Sequence, residues 1–210
     1  MTPSGEGRGL RTDIVEAVNV LFRADVMSHS GHANFSARLD GDRMLVTTGV
    51  IVRDLSAEDM VVIGFDGKAP DGPSSTCAEG VVAMHVAAYR ARPDARAVVH
   101  THSPCVTAFA VDNRPLPCRY ETLLRFGGQA GEVPVAPWTP GRSDEAFLRG
   151  IADAFDRQPG TKAVLLANHG VLALALSPME AALLVIALEE AAAAELAAAE
   201  IGGAVDLPIP

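Results

Sequence analysis

The sequence predicts one α/β domain built on a substantially antiparallel sheet, and three observations lead there. Strand-like and helix-like segments alternate along the 210 residues, with no linker long enough to divide them. Several neighbouring strand candidates are joined by links of hairpin length, which antiparallel pairing allows and parallel pairing does not. No internal repeat and no glycine-rich phosphate loop breaks the pattern, so P-loop and dinucleotide-binding readings have no support.

The elements follow in order. Residues 1–9 are polar and glycine-rich and are expected to form a flexible N-terminus ahead of a domain over 10–210. In residues 10–27, Leu10, Ile14, Val18, Leu21 and Phe22 recur close to a 3.6-residue period, which predicts an amphipathic helix. After a polar loop at 28–33, residues 34–39 and 44–47 read as strands joined by Asp40-Gly41-Asp42, a hairpin signal. A third strand, 60–65, runs into Asp66-Gly67. A Gly/Pro/Ser loop at 70–75 leads to a helix over 78–91, which Pro93 stops.

The strand predicted at 97–101 runs directly into His100-Thr101-His102. Helical turns at 106–111 and 120–125, a short strand at 133–136 and a helix over 143–155 come next, the last opened by Ser143-Asp144-Glu145 as cap and first-turn acids. Residues 162–166 and 171–176 are strands flanking Asn168-His169-Gly170. Ser177 then caps, and Pro178 opens, an Ala/Leu/Glu-rich helix that ends at Gly202-Gly203.

Composition narrows the function. Seventeen Lys and Arg against 26 Asp and Glu give a net charge of −9, the wrong sign for a phosphate-backbone binder, so no nucleic acid partner is expected. Cys77, Cys105 and Cys118 are odd in number and scattered, which fits a reducing compartment rather than a disulfide framework. The longest apolar region, 171–199, is interrupted by Ser177-Pro178, Glu180 and Glu189-Glu190, so no membrane span is expected. With no signal-like N-terminus, a cytoplasmic protein is the expectation.

Six histidines concentrate the chemistry. His100 and His102 stand two apart at a strand end, so both imidazoles project from one face, as two ligands of one metal require. His169, in a turn between two apolar strands, is the natural third ligand, and zinc is the ion that imidazole generally suits. Hydrogen-bonded rim and loop histidines remain the alternative reading. Glu79 opens the helix that precedes the His-x-His strand; a first-turn glutamate also simply favours the helix dipole, but beside an open metal position it would serve as general base. His85, among Val81, Val82, Met84 and Val86, reads as a core histidine, and His29 and His32 as loop residues ranked below the trio.

Six segments, in order, resemble the class II aldolase/adducin family over nearly the whole chain. They are Gly31-His32-Ala33-Asn34-Phe35-Ser36-Ala37-Arg38, similar to the family's G-N-x-S-x-R; Thr47-Thr48-Gly49, similar to T-P-x-G but without the proline; Asp54-Leu55-Ser56-Ala57-Glu58-Asp59-Met60-Val61; the stretch from Met84 to Asp94; Val98-Val99-His100-Thr101-His102-Ser103-Pro104; and Leu166-Ala167-Asn168-His169-Gly170. The resemblance implies a three-layer α/β/α sandwich with a largely antiparallel central sheet. It implies a divalent metal, usually zinc, on His100, His102 and His169, and an acid in the place of Glu79 that shuttles the proton. The family's glutamate falls four residues before the helix histidine, whereas Glu79 lies six before His85 and Val81 lies four before it.

By the same resemblance Asn34, Thr48, Gly49, Ser74 and Ser75 would hold a phosphate. Tyr120 would reach the metal of a neighbouring subunit in a cyclic homotetramer; apart from the resemblance, Glu121, the acid next to Tyr120, is the alternative should Glu79 not carry the proton. The implied activity is that of a lyase, by default an aldolase making or breaking a C–C bond in a small hydroxy-ketone through a metal-stabilised enediolate. Decarboxylation, dehydration, epimerisation and a non-catalytic adducin-like binding module are the alternatives. Independently, the final helix carries Leu183, Leu184, Val185, Ile186 and Leu188 around much of its circumference, which predicts a surface buried by a partner.

Overall fold

The computed structural model describes residues 7–69, 79–127, 131–141 and 144–208. Helix α1 (Arg8–Arg23) starts two residues before the expected point and buries Ile14, Ala17, Val18 and Leu21 as one stripe. Arg11 is buried with them because its guanidinium donates to the carbonyls of Ala57 and Met60, at 2.7 and 2.9 Å. Strands β1 (Ala33–Arg38), β2 (Arg43–Thr47) and β3 (Met60–Gly64) form an antiparallel meander, its first turn made by Gly41 at φ 70°. Helix α2 (Glu79–Ala91) leads into β4 (Ala97–Thr101), which pairs antiparallel with β1 and sets Asn34 opposite His100.

Helix α3 (Pro104–Val111), strand β5 (Leu116–Pro117) and helix α4 (Glu121–Gly127) follow. The strand expected at 133–136 is divided at Pro134, which has no N–H to continue a ladder. Its first part, β6 (Glu132–Val133), pairs with β5 in a small second sheet, and its second, β7 (Val135–Ala136), joins the main sheet. Helix α5 (Glu145–Arg157) is capped by Asp144, whose carboxylate accepts the N–H of Phe147 at 2.8 Å; Ser143, named with it as cap, lies outside the described residues. Strands β8 (Ala163–Leu166) and β9 (Gly170–Ala175) precede α6 (Pro178–Glu200), where Ser177 accepts the N–H of Glu180 as predicted.

The main sheet runs β3-β2-β1-β4-β9-β8-β7, antiparallel throughout except for the β7–β8 pair that α5 connects. Helices α1, α3, α4 and α6 cover one face, and α2 and α5 the other, which is the expected three-layer sandwich. Strand alternation divides the side chains between the layers. Val99 and Ala97 pack under α6, while Val98 faces the α2 layer, and with it, by parity, His100, Asn34 and Ser36.

Helix α6 lies at the centre of its layer, against α1, α3, α4, β4 and β9. Leu184, Val185 and Leu188 are therefore buried within the chain, and Leu183 and Ile186 partly so. Much of its apolar circumference is thus covered by its own chain, while Leu183 and Ile186 stay half-buried. Among the described residues, no helix is long and apolar enough to cross a membrane.

Candidate metal centre

His100 is the fourth residue of β4, and His102 follows two positions on, just past the strand. His169 ends the three-residue turn 167–169 that joins β8 to β9. Because β9 pairs with β4, opposing Thr101 to Val171, the turn is delivered beside the His-x-His segment. The ring centroids are 4.7 Å apart for His100 and His102, 4.6 Å for His100 and His169, and 5.0 Å for His102 and His169. One potential ligand atom from each lies within 4.8 Å of the others.

Backbone carbonyls orient two of the rings. A carbonyl oxygen only accepts, so His100 Nδ1 donates to Val171 at 3.0 Å and His102 Nδ1 donates to His32 at 3.1 Å. In that tautomer each Nε2 carries a lone pair, the form a metal takes, and the second hydrogen bond fixes the ring. Burial, reinforced by the neighbouring His169 and His102, holds the His100 pKa well below the ordinary imidazole value, so this ring is neutral at neutral pH. The donor set thus fits a divalent ion with three nitrogens and an open position.

The turn bearing His169 is also held. Asn168 adopts φ 55°, its N–H donates to the carbonyl of Ala110 at 2.8 Å, and its side-chain amide meets Val111 and Asn113 at 3.3 and 3.1 Å. Asparagine is among the few residues that enter the left-handed region readily, which accounts for its place before His169.

Of the expected anion-binding residues, Asn34 sits beside His100 in the strand register, 4% exposed, with Nδ2 donating to the Ala33 carbonyl at 2.8 Å. The segment carrying Thr48 and Gly49 is brought to the same corner: Ala33 donates to the carbonyl of Val50, and Val52 to that of Gly31, both at 3.0 Å. Ser74 and Ser75 lie outside the described residues, as does Cys77.

Glu79 is the first residue of α2 and exposed. The helix start lies at the His100 end of the sheet, since Tyr89 stacks near Arg38 and His85 meets Ser36 on the way towards Asn34. At about 100° per residue, Glu79 is about 200° around the helix from Val81. Its side chain accordingly lines the groove of about 890 Å³ between α2 and α5, with Arg90, Glu145 and Arg149, and not the His85 face. Tyr120 and Glu121 belong to the opposite layer: Tyr120 donates to Glu190 of α6 at 3.3 Å, and Glu121 pairs with Arg125 at 3.2 Å.

Two features escaped the sequence reading. His32 was placed among loop residues, yet its carbonyl orients His102 and its own ring stands 6.4 Å from that of His102. Backbone carbonyls leave no side-chain pattern, so the sequence does not show this contact. The second feature is a buried network behind the site. Ser36 Oγ bonds His85 Nδ1 at 2.7 Å and the Tyr89 hydroxyl at 2.9 Å, and among the described residues the buried His85 Nε2 has no hydrogen-bond partner. The four-residue spacing of His85 and Tyr89 on one helix face was the available signal.

The chain is similar to known proteins along most of its length. Residues 12–196 match the model of the class II aldolase and adducin N-terminal domain. An L-fuculose phosphate aldolase of Escherichia coli O6:H1 is 34% identical over 142 residues, 67% of this chain and 61% of that protein, so the match spans about three-fifths of the relative's length. A 3-oxo-tetronate 4-phosphate decarboxylase of Haemophilus influenzae is 33% identical over 171 residues, covering 77% of this chain and 75% of that one. A solved structure of an L-fuculose 1-phosphate aldolase superposes with a TM-score of 0.81 at 25% identity, covering 96% of this chain and 91% of the other.

Proposed function

The chain belongs to the class II aldolase and adducin family, and on that premise we propose that it is a metal-dependent lyase. Its default reaction is aldol cleavage or formation in a small hydroxy-ketone. The observation that carries this is the convergence of His100, His102 and His169 with two of the Nδ1–H groups tied to backbone carbonyls. A divalent ion held there, zinc by the preference of imidazole, supplies a Lewis acid that polarises a substrate carbonyl.

The chain's own groups bind and move protons. Retro-aldol cleavage removes the proton of the β-hydroxyl, breaks the C–C bond and returns a proton to the carbon that takes up the electron pair. Glu79 is the proposed carrier, from its place at the site end of α2, and Tyr120 of an adjoining subunit the proposed donor. Asn34, Thr48, Gly49, Ser74 and Ser75 are proposed to hold an anionic substituent such as a phosphate, which the phosphorylated substrates in the names of both curated relatives favour. We place the protein in the cytoplasm as a homotetramer in which this sharing is possible.

The test combines metal analysis with a panel of phosphorylated and unphosphorylated hydroxy-ketones, L-fuculose 1-phosphate among them. Chelator-sensitive release of an aldehyde supports the aldolase reading. Carbon dioxide from a 3-oxo acid phosphate, with no aldehyde from any ketose, would move the assignment to a decarboxylase, the second reading that the Haemophilus relative favours.

A further inference from the structure

Helix α3 links two of the three imidazoles mechanically. At its start, His102 stands two residues before Pro104. At its end, the carbonyls of Ala110 and Val111 accept the backbone and side-chain N–H groups of Asn168, immediately before His169. The helix is therefore a strut between two ligands, and its seat must be fixed for their spacing to be fixed.

The first turn of a helix has N–H groups without intrahelical acceptors. Here Pro104 has none, and Thr107 donates to the Ser103 carbonyl at 2.8 Å, which leaves Cys105 and Val106. Ser103, at the N-cap, would ordinarily accept one of them through its hydroxyl. It makes no such bond; its hydroxyl lies 3.0 Å from Thr101 Oγ1 instead. Both donors are taken instead by Glu189 of α6, whose Oε1 accepts from Cys105 at 2.7 Å and Oε2 from Val106 at 2.9 Å.

Glu189 is only 8% exposed, on a helix otherwise buried through Ala, Leu and Val. An acid in such a place is unfavourable unless paired, and it matches the positive end of the α3 dipole. Packing alone would be served by leucine. Resting on the reading of the trio as a metal site, we propose that Glu189 is a positioning residue for that centre: by bracing α3 through two charge-assisted hydrogen bonds it sets the separation of His102 and His169.

The test uses the full chain stripped of metal and reloaded with Co²⁺, whose visible bands report ligand geometry and whose dissociation constant is read by chelator competition. Glu189→Gln, which keeps the shape but faces one N–H with an amide donor, is expected to unfold cooperatively yet bind Co²⁺ about 10 to 100-fold more weakly, with altered bands. Ile151→Ala, a core truncation in the α2–α5 layer, controls for lost stability and is expected to bind as the unmodified chain does. Unaltered affinity and bands in Glu189→Gln, or a loss no larger than in Ile151→Ala, overturn the bracing. If Glu189→Gln does not fold, Asn168→Gly and Asn113→Ala, which loosen the other end of α3, decide: weakened binding supports the strut and unaltered binding in both overturns it. An unmodified chain that takes up no Co²⁺ overturns the metal reading itself, and this inference with it.

Discussion

Gly170 lies directly against the carbonyl of Thr101: a Cβ at position 170 would overlap that oxygen and stand 3.0 Å from Cδ2 of His102. The first residue of β9 must therefore be glycine for the His169 turn to close onto the end of β4. Gly170→Ala has to push the two strand ends apart at the proposed metal centre. A loss of about 1 to 3 kcal/mol of stability is expected from the overlap, together with weaker metal binding; urea unfolding with and without metal measures both.

Removing one of the three proposed ligands separates metal from fold. In His169→Ala, elemental analysis after dialysis is expected to find the metal-to-chain ratio near zero, against one for the unmodified chain. Zinc at about 100 times its dissociation constant stabilises a one-site protein by about 2.7 kcal/mol, so the unmodified chain should gain that on loading and His169→Ala should gain none. Equal gains in both would place the ion elsewhere.

Much of this centre was legible in the sequence, and the reason is local. A strand alternates its side chains by stereochemistry, so His-x-His declares a shared face at once, and Asn-His-Gly announces a tight turn. Hairpin-length links likewise gave the antiparallel sheet. What was not legible depends on tertiary placement. The orienting carbonyls of His32 and Val171 are backbone atoms. The role of α6 turned on which helices flank it: packed against α1, α3 and α4, it buries Leu184, Val185 and Leu188 within the chain and leaves Leu183 and Ile186 half-buried. Pro134 looked like a residue inside one strand because its missing N–H matters only once the neighbouring strands are known.

Acid should begin to destabilise the metal-free chain from about pH 6.5, the ordinary imidazole value, downward. Burial holds His85 down to about 3, from 6.5 in the unfolded chain, and depresses His100 in the same direction. Between the folded and unfolded values the unfolded state binds the extra proton, so this stability is complete above about pH 6.5 and falls as the pH drops towards 3. Within that window His85 contributes a slope of about 1.4 kcal/mol per pH unit, and His100 acts in the same direction. Denaturation midpoints from pH 7.5 to 4.5 measure it, and His85→Gln should remove about one proton's worth of slope. A slope unchanged in His85→Gln would show that this imidazole titrates alike in both states.

The proton carrier is the step on which sequence and geometry pull apart, and it can be tested directly. Glu79 is the acid at the site end of α2, but it occupies the groove face, while the face leading from His85 towards His100 carries Val81. If Glu79 reaches round the helix start, Glu79→Gln should leave metal content unchanged and lower turnover about 10² to 10⁴-fold, the usual contribution of a general acid–base group. Moving the carboxylate onto the His85 face, in Glu79→Gln combined with Val81→Glu, should then restore part of the loss, because Val81 is only partly buried and lies one turn before His85 on the same helix face. The measurement is turnover of whichever hydroxy-ketone the panel selects, normalised to bound metal. Full turnover in Glu79→Gln removes Glu79 from the chemistry and passes the role to Glu121, whose place beside Tyr120 would bring it to the centre only from another subunit; Glu121→Gln would then carry the loss, and activity would vanish on dilution to the monomer.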